Sequence, residues 1–77
     1  MNEDYKSDFQ KKAQEILNIT PSYKLVSDSG PDHDKIFTVG LFLQKEQIAT
    51  GEGKSKQEAE QEAARKGLVV KKWSKKD

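Results

Sequence analysis

The sequence predicts an α+β fold in the order α-β-β-β-α, with a three-stranded antiparallel sheet and two helices packed on one face of it. Stretches with helical apolar spacing lie towards both ends of the chain, and each follows the residue pattern of a capping box. The middle of the chain alternates apolar and polar residues and has short connections. Strands joined by such connections pair antiparallel, and this order leaves both helices on the same side.

The first helix is expected at about residues 8–17. Ser7 and Gln10 have the spacing of a capping box, in which the serine hydroxyl accepts from a later backbone N–H and the glutamine reaches back to the cap. The apolar residues that follow lie on one helical stripe: Phe9, Ala13, Ile16 and Leu17. Asn18 and Pro21 are stop signals, so the helix is expected to end before them.

Three strands are expected between the helices, and the first, at about residues 23–28, runs into a loop. The second strand, at about residues 35–43, alternates most clearly, and one face of it is apolar: Phe37, Val39, Leu41 and Leu43. Residues 44–46 are polar and few, as in a hairpin connection. Residues 47–52 can then return antiparallel to the second strand with Ile48 facing inward.

The second helix is expected at about residues 56–72, where an alanine-rich stretch follows a second capping box formed by Ser55 and Glu58. Its inward side consists of small residues and one leucine: Ala59, Ala63, Ala64, Gly67 and Leu68. Small side chains let the helix axis lie close to the sheet, so the fold needs only a thin core. Trp73 is expected either to pack against the end of this helix or to lie exposed in the tail.

The length of 77 residues accommodates one small domain, expected to span 1–77 with a folded part at about 7–70 and a basic tail at 71–77. The 14 basic and 13 acidic side chains give a net charge of +1, so charge repulsion does not oppose folding. The charge is unevenly distributed, since residues 1–53 carry 6 basic and 9 acidic side chains and residues 54–77 carry 8 and 4. A positive field is therefore expected over the C-terminal third.

Several classes of protein are excluded by composition. The absence of cysteine excludes a disulfide framework, a thiolate zinc site and a cysteine nucleophile, and a single histidine makes a metal-stapled fold unfavourable. Apolar runs are too short for a membrane span or the apolar core of a signal peptide, so no membrane partner is expected. The chain is expected to be cytoplasmic.

Three polar clusters stand out: the outer face of the first helix, the loop at 30–33 and the stretch at 51–64. Asp-Tyr-Lys-Ser at 4–7, Gly-Pro-Asp-His at 30–33 and Gly-x-Gly-x-Ser-Lys at 51–56, followed by Glu-Ala-Glu-Gln, occur in that order. Together these motifs resemble the double-stranded RNA-binding domain, most closely the C-terminal domain of bacterial ribonuclease III. The resemblance covers about residues 4–70, and three motifs in order are far more specific than any one of them.

The resemblance implies that the domain binds double-stranded RNA by shape, through 2′-hydroxyls in the minor groove and phosphates beside the major groove. One minor groove would be contacted by the first helix, through Ser7, Gln10, Lys11 and Gln14. The family usually has glutamate where this chain has Lys11, and lysine cannot accept from a 2′-hydroxyl but can bind a phosphate. The second minor groove would be contacted by the loop, through Pro31, Asp32 and His33.

Phosphates would be bound at the start of the second helix, by Lys54, Ser55, Lys56 and Gln57. Free backbone N–H groups and the positive end of the helix dipole favour an anion there, and two lysines add charge. The related pattern often has a lysine at the position of Gln57, so phosphate binding is expected to be weaker in this chain. Glu60 stands where the broader family is often basic, and this agrees with the ribonuclease III branch.

Each of these residues also has a purely structural explanation. Gln10 and Gln14 on their own would be ordinary surface residues, and Pro31 is first of all a turn former. A lone exposed histidine is more often unremarkable than a ligand. Lysines at a helix start oppose the helix dipole, so a purely structural role is mildly unfavourable for Lys54 and Lys56.

Catalysis by this chain alone is not expected, because its acidic residues are scattered and no nucleophile stands beside a base. The resemblance implies a parent ribonuclease III, a magnesium-dependent endoribonuclease whose nuclease centre lies in a separate domain. No cofactor is expected in this chain. The expected partner is double-stranded RNA, and the isolated domain is expected to be a monomer and the parent a homodimer.

Two other functions are compatible with the same sequence. One is a protein-interaction module on the same fold, whose RNA surface has degraded; the near-neutral net charge, Lys11 and Gln57 favour it. The other is an RNA-binding domain of a different parent, such as a stand-alone or ribosome-associated factor. A binding titration with duplex RNA separates the first of these from the RNA-binding functions.

Overall fold

The computed structural model describes residues 4–74, and it confirms the predicted order of elements. Helix α1 spans Tyr5–Lys12 and continues as a π-helical turn over Ala13–Leu17. The remaining elements are β1 (Ser22–Ser29), a short 3₁₀ turn (Asp32–Asp34), β2 (Ile36–Leu43), β3 (Glu46–Gly53) and α2 (Lys56–Lys71). The strands form one antiparallel sheet in the order β1-β2-β3.

The start of α1 differs from the prediction. Asp4 is the N-cap and accepts from the Ser7 backbone N–H at 3.2 Å, while the Ser7 hydroxyl donates to the same carboxylate at 2.7 Å. The predicted capping box at Ser7 and Gln10 is therefore wrong, and the helix begins three residues earlier, at Tyr5. Aspartate is a preferred N-cap residue, and Asp4 additionally accepts from the Gln61 side chain of α2.

The end of α1 follows the prediction in position but not in packing. Asn18 adopts the left-handed conformation with φ 58° and its N–H bonds to the carbonyls of Ala13 and Gln14, which terminates the helix. Phe9 and Ala13 are fully buried, whereas Ile16 is 54% and Leu17 40% exposed. A π turn advances each residue by a smaller angle than an α-helix does, so α-helical spacing no longer returns these last two residues to the core.

The middle strand confirms its predicted alternation, with Val39, Leu41 and Leu43 buried on the face that meets the helices. The β2–β3 hairpin turns at Gln44 and Lys45, and Glu46 already belongs to β3. The alternation predicted for β1 is interrupted by a bulge between Leu25 and Ser27, where the register with β2 shifts.

Helix α2 packs through its predicted small face, whose members are all buried: Ala59, Ala63, Ala64, Gly67 and Leu68. A Cβ placed on Gly51 of β3 would lie 2.2 Å from the Ala63 nitrogen, so only glycine permits this close approach of helix and sheet. A Cβ on Gly67 would meet the side chains of Leu41 and Phe9. The core therefore joins α1, β2 and α2 in one cluster.

Ordered contacts extend past the expected folded part, 7–70, at both ends. Lys72 is left-handed and caps α2, and the Trp73 N–H donates to the Leu68 carbonyl at 2.8 Å. The indole lies against Phe9 with ring centroids 5.2 Å apart, so Trp73 packs at the end of the helix. Residues 75–77 of the expected basic tail, and 1–3 of the expected domain, lie outside the described residues.

Between Asp4 and Ser74, no helix has the length and apolar character needed to cross a bilayer.

Candidate nucleic-acid interface

Two of the three predicted contact clusters lie at the same end of the sheet. The β1–β2 loop leaves the sheet after Ser29, which pairs with Ile36, and β3 ends at Gly53, which pairs with Phe37. Loop residues 30–35 and the connection from β3 to α2 therefore leave the sheet from neighbouring positions at the same end of the strands. The hairpin with Lys45 lies at the opposite end, where Glu46 pairs with Leu43.

The β1–β2 loop is shaped by its glycine and by one short turn. Gly30 has φ +91°, and a Cβ there would lie 2.6 Å from the Asp34 carbonyl oxygen, so the position requires glycine. The Asp34 N–H donates to the Pro31 carbonyl at 2.8 Å and closes the turn. Pro31, Asp32 and His33 are all exposed, so the predicted loop residues face solvent.

The start of α2 is capped from within its own sequence. Ser55 Oγ accepts from the Glu58 N–H at 3.1 Å, as predicted, but Glu58 Oε1 accepts from the Lys54 N–H at 2.9 Å instead of reaching the N–H of Ser55. The reciprocal half of the predicted capping box is therefore displaced by one residue. The N–H groups of Lys56 and Gln57, in the first turn, have no intrahelical partner and remain available to a ligand.

The side chains around this helix start favour an anion. Lys54, Lys56 and Gln57 are exposed. Among residues 4–74, neither lysine forms an ion pair with a carboxylate. Two free ammonium groups next to two unpartnered N–H groups at the positive end of a helix are suited to a phosphate. The Ser55 hydroxyl accepts within the cap but can still donate to an oxygen.

The third cluster lies on α1, and the structure brings its four members to one exposed face: Ser7, Gln10, Lys11 and Gln14. Their spacing of three and four residues places them on one side of the helix, away from buried Phe9 and Ala13. Ser7 is bonded to the Asp4 carboxylate, and the Gln14 amide donates to the Thr20 hydroxyl. Gln10 and Lys11 have no side-chain hydrogen bond within residues 4–74.

A set of contacts between the helices was not predicted from the sequence. Gln61 Oε1 accepts from the N–H of Tyr5 at 2.8 Å and of Lys6 at 3.3 Å, and its Nε2 donates to Asp4 Oδ1 at 3.1 Å. Lys6 pairs with Glu60 and lies over the Tyr23 ring, with its Nζ 5.4 Å from the ring centroid. No spacing within the sequence signals such contacts, because the partners are more than 50 residues apart.

The ionisable groups of this region are shifted by these same contacts. Hydrogen bonds from the Ser7 side chain, then from Gln61 and the Ser7 backbone, lower the pKa of Asp4. Burial raises the pKa of Tyr23, and the charges of Glu60 and Asp4 add to the effect. Its buried hydroxyl has no hydrogen-bond partner among the described residues. Over the same span, 4–74, no group of three histidine, cysteine, aspartate or glutamate side chains is arranged to hold a metal ion.

The molecule is thus a small α+β domain of the order α-β-β-β-α that exposes three polar clusters. A family model described as double-stranded RNA binding motif matches residues 5–70, and the chain belongs to this family. This confirms the resemblance found in the sequence motifs.

Relatives of the chain carry the name Ribonuclease 3. The protein of that name from Borreliella burgdorferi is 51% identical over 65 residues, which cover 84% of this chain and 26% of that protein. Those from Nitratiruptor sp. and Campylobacter fetus are 46% and 47% identical, and the matches cover 87% and 88% of this chain and 30% of each protein. The chain thus spans less than a third of the length of these relatives.

Proposed function

We propose that this chain binds double-stranded RNA by its shape, as the RNA-binding domain of a ribonuclease III that presents duplex RNA to a separate catalytic domain. The observation that carries the proposal is the start of α2, where the Lys54 and Lys56 side chains lie next to the free N–H groups of Lys56 and Gln57. Membership in the double-stranded RNA binding motif family and relatives named Ribonuclease 3 support the same function.

The three clusters match the three features that an A-form duplex presents. Its major groove is too deep and narrow for side chains to read, so contacts are made to flanking phosphates and to 2′-hydroxyls of the wide minor groove. The start of α2 is suited to phosphates. The polar face of α1 and the loop with His33 are suited to two successive minor grooves, within a footprint of about 16 base pairs.

The affinity of the isolated domain is expected to be modest and salt-dependent. Each phosphate contact releases roughly one counterion, so a site with few lysines has a shallow dependence of affinity on salt. Gln57 offers no charge where related chains often have lysine. Lys11 can add a phosphate contact on α1, although it cannot accept from a 2′-hydroxyl.

The decisive experiment is a titration of the chain with an RNA duplex of about 20 base pairs, longer than the family footprint, and with DNA of the same sequence, at two salt concentrations. The Lys54→Ala/Lys56→Ala variant should bind all RNA duplexes more weakly and with a slope of affinity against salt reduced by about 2. Lys45→Ala is the matched control, because it removes an exposed lysine at the opposite end of the sheet.

We expect the chain to bind RNA more tightly than DNA and its affinity for RNA to fall as the salt concentration rises. An unchanged salt slope in the double variant would remove Lys54 and Lys56 from the interface. Failure of the folded chain to bind RNA at low salt would reject RNA binding itself.

A protein-interaction function is the second candidate, and the outer face of the sheet favours it. Val26 is 53% exposed there, and it lies next to Gly40 beside Phe42. Apolar side chains on a sheet face that no helix covers can form part of a protein contact. Absence of RNA binding, together with association of the chain in gel filtration, would favour this candidate.

The proposal extends to the parent protein. We infer a magnesium-dependent, homodimeric endoribonuclease of the cytoplasm, with the nuclease centre and its metal in a separate domain and this domain a monomer on its own. The chain covers less than a third of the length of these relatives, and this supports a nuclease centre in a separate domain. With magnesium present, the isolated chain should leave duplex RNA intact and elute as a monomer. Cleavage by the purified chain would overturn the division.

A further inference from the structure

The first turn of α1 is completed by a residue of the other helix. The opening N–H groups of any helix lack intrahelical acceptors. Here the Gln61 side-chain oxygen accepts from two of them, those of Tyr5 and Lys6, at 2.8 and 3.3 Å. The same amide donates from its nitrogen to the N-cap, Asp4, at 3.1 Å. One glutamine of α2 thus bonds to the N-cap of α1 and to the first two residues of the helix.

A second contact joins the same two turns. Lys6, on α1, pairs with Glu60, the neighbour of Gln61 on α2. The Lys6 side chain also lies over the ring of Tyr23, which belongs to β1. The start of α1 is therefore held by neighbouring residues of α2 and by one strand, whereas Phe9 and Ala13 are the buried contacts further along the helix.

These contacts have a large effect on so short an element. The α-helical part of α1 has 8 residues, and isolated helices of this length are marginal in water. The position of α1 is therefore determined by its tertiary contacts, and Gln61 supplies both acceptor and donor at its first turn.

The same contacts set the spacing of the proposed RNA surfaces. Gln61 follows Gln57 by four residues, so both lie on one face of α2, one turn apart. Tyr5, Gln57 and Gln61 line a common shallow groove between the two helix starts. The polar face of α1 begins at Ser7, directly after the residues that Gln61 bonds.

We propose that Gln61 and Asp4 are positioning residues of the RNA interface, which hold the contact face of α1 at the separation from the start of α2 that a duplex requires. This inference rests on the proposed RNA-binding function. Neither residue needs to touch RNA, because each acts through the placement of α1.

The test compares Gln61→Met, which keeps the length of the side chain but has no amide, with Gln47→Met, the same change at an exposed position of β3. Asp4→Ala is compared with Asp4→Asn, which keeps an oxygen acceptor at the N-cap. Each folded variant is titrated with RNA duplexes of about 20 and about 10 base pairs, because only the longer one exceeds the footprint of about 16. Amide hydrogen exchange is followed at Tyr5 and Lys6.

We define the length advantage as the ratio of the affinities for the long and the short duplex. Gln61→Met should reduce this ratio by about threefold or more and leave the slope of affinity against salt unchanged. Exchange at Tyr5 and Lys6 should accelerate about 3- to 10-fold. Asp4→Ala should behave likewise, and Asp4→Asn and Gln47→Met should resemble the unaltered chain.

One result would overturn the inference while RNA binding stands: an unchanged length advantage in Gln61→Met, whether its affinities stay the same or fall equally on both duplexes. An unaltered chain that binds no RNA would instead overturn the proposed function, and the inference with it.

Discussion

The two helices begin in opposite ways. Helix α2 is capped by Ser55 and Glu58, which are within four residues of the groups they bond, and the N–H groups of Lys56 and Gln57 are left open. Helix α1 is capped by Asp4 and by Gln61, and the latter comes from the far side of the sequence. A locally capped start remains available to a ligand, whereas a start closed by tertiary contacts serves to place the rest of its helix.

The largest effect on stability is expected from a substitution that removes the packing of α1 against the core. Phe9→Ala removes the one large side chain that α1 buries, which lies against Trp73 and Gly67, and it should destabilise the fold by about 3–5 kcal/mol. Ile16→Ala is the control, because this half-exposed residue of the same predicted stripe should cost less than about 1 kcal/mol. Urea denaturation measures both. Equal losses would mean that the π turn does not release Ile16 from the core.

The next effect concerns the contact of α2 with the sheet. Ala63 is fully buried where Gly51 approaches the helix, so Ala63→Leu should overpack this contact and cost about 1–3 kcal/mol. Val70→Leu enlarges an exposed residue of the same helix and should be nearly neutral. A melting temperature unchanged by Ala63→Leu would contradict the close helix–sheet approach.

A smaller effect is expected at the start of α2, where two substitutions of Ser55 distinguish its role in capping from a role in ligand binding. Ser55→Ala should cost about 1 kcal/mol, because the Glu58 N–H loses its acceptor. Ser55→Asp keeps a good N-cap, and its stability should change little, but its negative charge should weaken binding of duplex RNA. Thermal melts and RNA titrations on both variants give the comparison. Full RNA affinity in Ser55→Asp would argue against phosphate at this helix start.

The smallest effect is the pH dependence of the cap of α1. Hydrogen bonds from Ser7 and Gln61 lower the pKa of Asp4 in the folded state. Its contribution to stability is therefore complete above the ordinary aspartate pKa and is lost as pH falls through the lowered pKa.

Asp4→Asn does not titrate, so it should lose less stability than the unaltered chain as pH falls from about 7 to about 2. Lys6 and Glu60 face the same turn and are common to both proteins, so the difference isolates Asp4. Parallel pH profiles of unfolding would show that Asp4 is not stabilised in its ionised form.

The strands and α2 were predictable because their signals are local. The alternation of β2, the short hairpin and the small face of α2 each depend on residues a few positions apart, and the structure agrees with all three. The same locality misled the prediction for α1. Ser7 and Gln10 match a capping box, but Asp4, a second local candidate three residues before Ser7, is the N-cap and also accepts from Gln61.

The candidate site likewise has features that local sequence patterns predicted and contacts that they did not. Its residues were named from motifs, and the structure shows that the four on α1 share one face and that the loop and the start of α2 share one end of the sheet. Lys6 and Gln61 were named only within motifs and Glu60 only as a mark of the family branch, and the contacts that these residues form between the helices could not be predicted. The bulge in β1 and the π turn were also missed, since both insert an irregularity into an otherwise regular pattern.

The sequence alone determined the order of the elements, the buried face of α2 and the exposed polar clusters, because backbone periodicity and local capping act over one or two turns. Tertiary structure decided which apolar residues of α1 are buried and how this helix is fixed to α2. The hydrogen bonds that fix it join residues more than 50 positions apart, and only the folded chain brings such donors and acceptors within bonding distance.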